Sequence, residues 1–221
     1  MPGQSEARPS EARARLLETA TRLFYAEGIH SVGIDRIVAE AQVTRATLYR
    51  HFASKDDLIV AYLNEVDCDL RAEANKAIAA GLTPAETIRS IARSIAESIQ
   101  SQGFRGCAFL NAAAEYPDPE STVRQAVLAH RAWFLDTITD LLAKIQKSGP
   151  THAARHFVMM RDGAMAAGPL FDPKLVAATF LDGVDRMLEV YAATDYGSDT
   201  GPQTDPRWFA QNHPDSAASA T

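Results

Sequence analysis

The sequence has few of the features that mark a secreted, membrane-bound or metal-dependent protein. Only two of its 221 residues are cysteine, Cys68 and Cys107. They stand far apart without C-x-x-C spacing, so neither a disulfide framework nor a structural zinc site is indicated, and both are read as reduced thiols. No apolar run approaches the roughly 18 residues of a membrane span. The opening MPGQSEARPSEARAR lacks the apolar core of a secretory signal, which makes the cytoplasm the expected location. G-x-S-x-G and H-E-x-x-H motifs are absent, as are the glycine patterns of dinucleotide and phosphate loops. Nothing therefore implies a catalytic centre, a cofactor or a metal. Sustained two-residue alternation, the mark of strands, is missing too.

Net positive charge is also lacking overall, at −6, but its distribution is uneven. Of the 22 basic and 28 acidic residues, eight of each precede Leu63, so the whole deficit lies beyond it. An anionic partner would dock at the N-terminal end.

What remains is helical periodicity. Leu16, Ala20, Leu23 and Phe24 form one stripe, from Ser10 to a natural stop at Gly28. Ile34, Ile37, Val38 and Ala41 give a short second helix after Gly33. Thr44 can cap a third through about His51, and Ser54 can cap a long fourth carrying Leu58, Ile59, Tyr62, Leu63, Val66 and Leu70. Farther on, Thr83-Pro84, Asp118-Pro119 and Asp172-Pro173 each set a capping residue before a proline suited to a first helical turn, and Pro150 opens one more helix through about Ala167. Cys107 to Glu115 is apolar enough for a short buried helix. The expected architecture is all-α with about nine helices: a DNA-binding unit over 10–56, a larger helical unit over 57–194, and a flexible Gly/Pro/Ser/Asp-rich tail over 195–221.

The stretch QVTRATLYRHF is the most informative. It carries two threonines, two arginines, a tyrosine and a histidine on a frame of only Val43, Leu48 and Phe52. Two short helices joined by a tight turn fit a helix-turn-helix, with Ile37, Ala41, Val43, Leu48 and Phe52 facing inward and Arg45, Thr47, Tyr49, Arg50 and His51 outward. Arg45, at the start of the outward helix, can bridge guanine O6 and N7. Thr47, Tyr49 and His51 can hydrogen-bond a phosphate or a base edge, Thr44 divides its hydroxyl between capping and phosphate, and Lys55 adds a cation at the N-terminus of the next helix. The alternative is an ordinary solvated helix face.

The longer run GIDRIVAEAQVTRATLYRHFASKDDLIVAYL resembles the DNA-binding domain of the TetR family of transcription regulators, over roughly Ala12 to Leu63, and T-L-Y-R-H-F followed by S-K-D-D-L is its most specific part. The resemblance implies a homodimeric repressor on a near-palindromic double-stranded DNA operator, released when a small-molecule effector enters the C-terminal domain. It makes Tyr49 and His51 backbone contacts. Two departures stand out: Gln42 occupies the usual turn glycine, at a cost of about 1 kcal/mol if the backbone is left-handed, and Gly33 replaces a capping threonine.

By the same resemblance, the stretch GFRGCAFLNAAAEYPDPE borders the effector cavity, offering Phe104, Cys107, Phe109, Leu110, Asn111 and Glu115. His130, Trp133 and Phe134 on the next helix and Met159 complete the set, although any of these can instead be core. Cys107 is either a redox sensor stabilised by Arg105 or a buried inert thiol, and His152 with His156 is half a metal site or a surface pair. The helices after Pro150 and Pro173 are the expected dimer interface, with Phe180, Val184, Met187, Leu188 and Tyr191 as its apolar seam or as packing within one protomer. Beside this reading stand a helical adaptor and an all-α enzyme without recognisable motifs.

Overall fold

The computed structural model describes residues 10–146 and 149–193. The tail expected over 195–221 lies outside them. Among the described residues there are nine α-helices and no strand: α1 (Glu11–Glu27), α2 (Ile34–Glu40), α3 (Arg45–His51), α4 (Lys55–Ala79), α5 (Pro84–Ile99), α6 (Ala108–Glu115), α7 (Thr122–Ala143), α8 (Pro150–Ala167) and α9 (Pro173–Ala193).

Capping chemistry sets most of these boundaries. The hydroxyls of Ser10, Thr44 and Ser54 accept from the backbone N–H three residues on, at 3.2, 3.1 and 3.0 Å. Each satisfies one of the donors that an α-helix leaves unpaired at its start. Thr83 and Glu86 form a reciprocal capping box ahead of Pro84. At Asp118-Pro119 the expectation fails, and α7 begins three residues later. The Asp118 carboxylate accepts from the Glu120 N–H at 3.0 Å and its carbonyl accepts from the Ser121 N–H at 3.2 Å, so the pair closes a turn instead of opening a helix.

Helices α1, α2 and α3 wrap a small core in which Leu16, Leu23, Ile37, Leu48 and Leu58 are fully enclosed. Burying each such side chain contributes roughly 1.5–3 kcal/mol, and this secures a seven-residue helix that could not persist alone. The larger unit packs α5 on α9, α7 on α8 and α8 on α9, while α4 runs from the first core into the second against α1, α5 and α7. Gln42, in the α2–α3 turn, takes φ +54°, the left-handed conformation that glycine usually supplies.

Candidate nucleic-acid interface and effector cavity

One side of α3 is anchored by Leu48 and the other faces solvent. Arg45, Tyr49 and Arg50 are exposed and Thr47 half-exposed, with Tyr49 48% accessible. Arg45 Nε and Nη2 each lie 2.5 Å from Asp35 Oδ1 on α2, an exposed pair that holds the guanidinium charged. Exposed pairs contribute little net stability, so Arg45 can exchange Asp35 for another acceptor. The Thr44 and Thr47 hydroxyls are 3.0 Å apart. His51 Nε2 lies 3.0 Å from the Ser10 hydroxyl, which ties α3 to the start of α1.

Lys55 departs from its expected role. Its ammonium turns inward, donates to the Ile29 carbonyl at 2.7 Å and sits 5.8 Å from the Phe24 ring centre, and burial lowers its pKa. Because that charge is already committed to the α1–α2 connection, it is not presented to a phosphate. Arg36 bridges Glu27 and Glu40, and Arg22 also reaches Glu40, so α1 and α2 are cross-braced at the surface.

Two sets of contacts bolt this unit to the larger one. Glu115, at the end of α6, accepts from the Ile29 N–H at 2.9 Å and the His30 N–H at 2.6 Å. Beside it, the Tyr116 ring stacks on His30 at 4.9 Å. In α1, the Tyr25 hydroxyl donates to the Gly106 carbonyl at 3.1 Å and accepts from the Arg105 N–H at 3.0 Å.

Behind these contacts lie two neighbouring cavities. The first, about 240 Å³, is bounded by α4, α5, α7 and α8 and is lined by His130, Trp133 and Phe134. The second, about 300 Å³, reaches α1 and receives Phe104, Cys107 and Phe109. Four other expected residues lie elsewhere. Leu110 is half-buried on α6 and lines neither cavity. The exposed Asn111 amide donates to the Arg105 carbonyl at 3.1 Å. Glu115 is committed to the α1–α2 connection, and Met159 is 70% exposed on the outer face of α8.

The residue that sequence reasoning missed is Arg161, 5% exposed, which lines both cavities together with Leu70, Ser98 and Met165. Its position four residues after Phe157 and four before Met165 places it on the buried face of α8, a signal that periodicity alone could have supplied. Arg161 Nη1 donates to Asp162 Oδ1 at 2.9 Å, and Nη2 donates to the buried Cys107 sulfur at 3.3 Å. Arg105, expected beside that thiol, instead makes the backbone contact to Tyr25.

On the opposite wall, His130 is 3% exposed, with Nδ1 2.7 Å from Asp67 Oδ1 and its ring stacked on Phe109 at 3.6 Å. Burial is the main reason its pKa falls, so it is neutral near pH 7. Burial pushes the Asp67 carboxyl up, but hydrogen bonds from His130 and Arg71 outweigh that and hold it below the usual range.

The apolar seam expected at the dimer interface is absent from the surface: Phe180, Val184, Leu188 and Tyr191 are buried within the protomer. His152 and His156, by contrast, are exposed on α8 with ring centres 5.2 Å apart. No helix among the described residues is long and apolar enough to cross a membrane.

Residues 16–62, which run from within α1 through α2 and α3 into the first turns of α4, match the family model for bacterial regulatory proteins of the tetR family. Among curated proteins, the chain is 29% identical over 136 residues to the HTH-type transcriptional activator FasR of Mycolicibacterium smegmatis, covering 61% of this chain and 60% of that one. It is also 29% identical over 86 residues to the HTH-type transcriptional regulator LmrA of Bacillus subtilis, covering 38% and 46%. The matched part is thus less than two thirds of either relative. Over the whole fold, it is 63% identical to the crystal structure of SCO4454, a TetR-family transcriptional regulator from Streptomyces coelicolor, with a TM-score of 0.81, covering 83% of this chain and 97% of that one. A likeness so extensive in both sequence and fold, together with the match of residues 16–62 to the family model, means that the chain belongs to the TetR family of transcriptional regulators.

Proposed function

We propose that the protein is a cytoplasmic, homodimeric repressor that binds a near-palindromic DNA operator through α3 and leaves it when a small molecule fills the cavities beside α8. The observation that carries this reading is the outward set Arg45, Thr47, Tyr49 and Arg50 on a helix held only from behind. Arg45 reads a guanine edge by exchanging Asp35 for O6 and N7, while Thr44, Thr47, Tyr49, Arg50 and His51 position the helix on phosphates or adjacent base edges. Helices 10–56 form the DNA-binding unit, and 57–194 the effector and dimer unit.

Support for dimerisation through α8 and α9 comes from their outer faces. His152, His156, Met159, Gly163 and Ala166 are exposed on α8 at alternating four- and three-residue steps, the repeat with which helices pack against mates. Leu175 and Val190 are exposed on the outer face of α9, with Leu170 and Phe171 between the helices. Such a cluster of exposed apolar side chains fits a covered surface. Release follows if the effector favours a conformation in which the two α3 helices no longer match major grooves roughly 34–36 Å apart.

The test is selection from a random duplex pool at two salt concentrations, with Arg45→Ala and Tyr49→Phe beside the wild type. Arg45→Ala should relax sequence preference at one position per half-site, by about 1–3 kcal/mol. Tyr49→Phe should weaken all sequences alike. Failure to enrich any duplex at low salt would refute the reading and favour an adaptor or an enzyme. Transcription from a promoter bearing the selected site then separates repression from the activation for which FasR is named.

A further inference from the structure

Arg161 is a cation enclosed among apolar side chains, with its charge only half answered. Its carboxylate partner, Asp162, is shared: Oδ1 accepts from Arg161 at 2.9 Å and Oδ2 from Arg131 Nη2 at 2.6 Å, so two guanidiniums draw on one negative charge. The Cys107 sulfur at 3.3 Å is a weak acceptor when it carries its proton. Arg161 Nε is buried and has no hydrogen-bond partner among the described residues. Native interiors rarely leave such a donor unpaired, least of all on a charged group. Around it the walls are Leu70, Ile91, Ile95, Trp133, Phe134 and Met165, with the Phe134 ring centre 5.3 Å from the guanidinium carbon.

Across the same cavity, His130 offers no compensating charge. Its Nδ1 is engaged by Asp67, and Asp67 is already paired with Arg71 at 2.6 Å. Glu73, the remaining carboxylate on the lining, stands on an exposed stretch of α4 at the edge.

We infer that the effector is an apolar carboxylate whose anionic head pairs with Arg161 and whose hydrocarbon or aromatic body lies against the Trp133–Phe134 wall. This rests on the reading of these cavities as the effector site and specifies the chemistry they select. The neutral His130, with Nδ1–H committed to Asp67, leaves Nε2 as an acceptor for a hydroxyl or N–H elsewhere on the same molecule. A carboxylate drawing Nη2 away from Cys107 acts one residue from Gly106, whose carbonyl holds Tyr25 of α1. Occupancy is thereby connected to the helix that carries the DNA-binding unit.

The experiment uses the full-length protein and four probes: octanoate against 1-octanol, and 4-phenylbutyrate against 4-phenyl-1-butanol. Calorimetric titration should show each carboxylate binding at least about tenfold tighter than its alcohol, the scale of one charge-assisted hydrogen bond. Arg161→Met should bring each pair to within about twofold. Because removing a buried cation can disturb folding, the wild type gives a second reading: nitrogen-15 spectra of arginine side chains should show one Nε–H signal, absent in Arg161→Lys, that shifts with octanoate and not with octanol. Equal or tighter binding of the alcohols overturns the inference. Binding of no probe overturns it too, as does a preference that survives Arg161→Met. Operator binding measured on the same samples separates the two readings: retained operator binding without carboxylate preference refutes the ligand class alone, whereas carboxylate preference in a protein that binds no duplex refutes the regulator reading.

Discussion

The junction between the two units offers a graded test at Glu115. Its two oxygens accept from the Ile29 and His30 amides at 2.9 and 2.6 Å, and Ile29 is 2% exposed, so that amide has little access to water. Hydrogen bonds to a charged group contribute roughly 1.5–3 kcal/mol each. The Glu115 side chain is 23% exposed, which favours the lower end and gives about 3 kcal/mol for the pair. Contact with the His30 ring, 60% exposed, adds little. Glu115→Ala should therefore cost about 3 kcal/mol, and Glu115→Gln, which keeps one acceptor for Ile29 but turns an NH₂ toward His30, about half of that. At about 2–4 °C per kcal/mol for a chain of this size, melting should fall by about 6–12 °C and 3–6 °C respectively. Native-state hydrogen exchange localises the effect: the Ile29 and His30 amides should exchange about 100-fold faster in Glu115→Ala, since each 1.4 kcal/mol is tenfold. A melting change under about 2 °C with unaltered exchange at those two amides would refute the assignment of Glu115 as the clamp.

Three further outcomes follow from single positions. Gln42 is exposed at φ +54°, so Gln42→Gly should stay within about 0.5 kcal/mol of wild type, relief of strain offsetting lost chain stiffness, whereas Gln42→Val should cost about 1–2 kcal/mol; urea midpoints decide. A methyl group at Gly168 would lie 2.7 Å from Phe104 Cε1 and 3.1 Å from Ile99 Cγ2, so Gly168→Ala should destabilise by about 1–3 kcal/mol with an unchanged denaturant slope. Burial lowers the His130 pKa below the roughly 6.5 of an unfolded histidine, so unfolding takes up a proton. Its contribution is complete above about pH 6.5 and is lost as pH falls through the folded value; Asp67, also lowered, acts only below about pH 4. Melting temperature should decline from pH 7 to pH 5 in the wild type and decline less in His130→Gln.

Much of the molecule was legible from local chemistry. Ser10, Thr44, Ser54 and Thr83 announce helix starts because a short hydroxyl satisfies a backbone donor three residues on, whatever the rest of the chain does. The outward face of α3 follows from period and composition, whereas the strain at Gln42 follows from the family resemblance, which places a glycine at that turn position. Asp118-Pro119 misled because the same carboxylate and proline serve equally well in a turn, and the choice depends on where α7 meets its neighbours.

The tertiary structure alone decided which polar groups were already spoken for. Lys55 reads as a surface cation, yet Ile29 and Phe24 arrive from α1 and its following turn to claim it. Glu115 reads as cavity lining, but the end of α6 faces the amides of Ile29 and His30. Phe180, Val184, Leu188 and Tyr191 fit an interface seam by pattern, but α5 and α8 cover them within one protomer. Arg161 acquires its meaning only when Cys107, at the cap of α6, and Phe134, on α7, close around it beside its α8 neighbour Asp162. Helix period says which residues share a face, since that is a property of the backbone; what stands opposite the face depends on contacts between residues tens of positions apart.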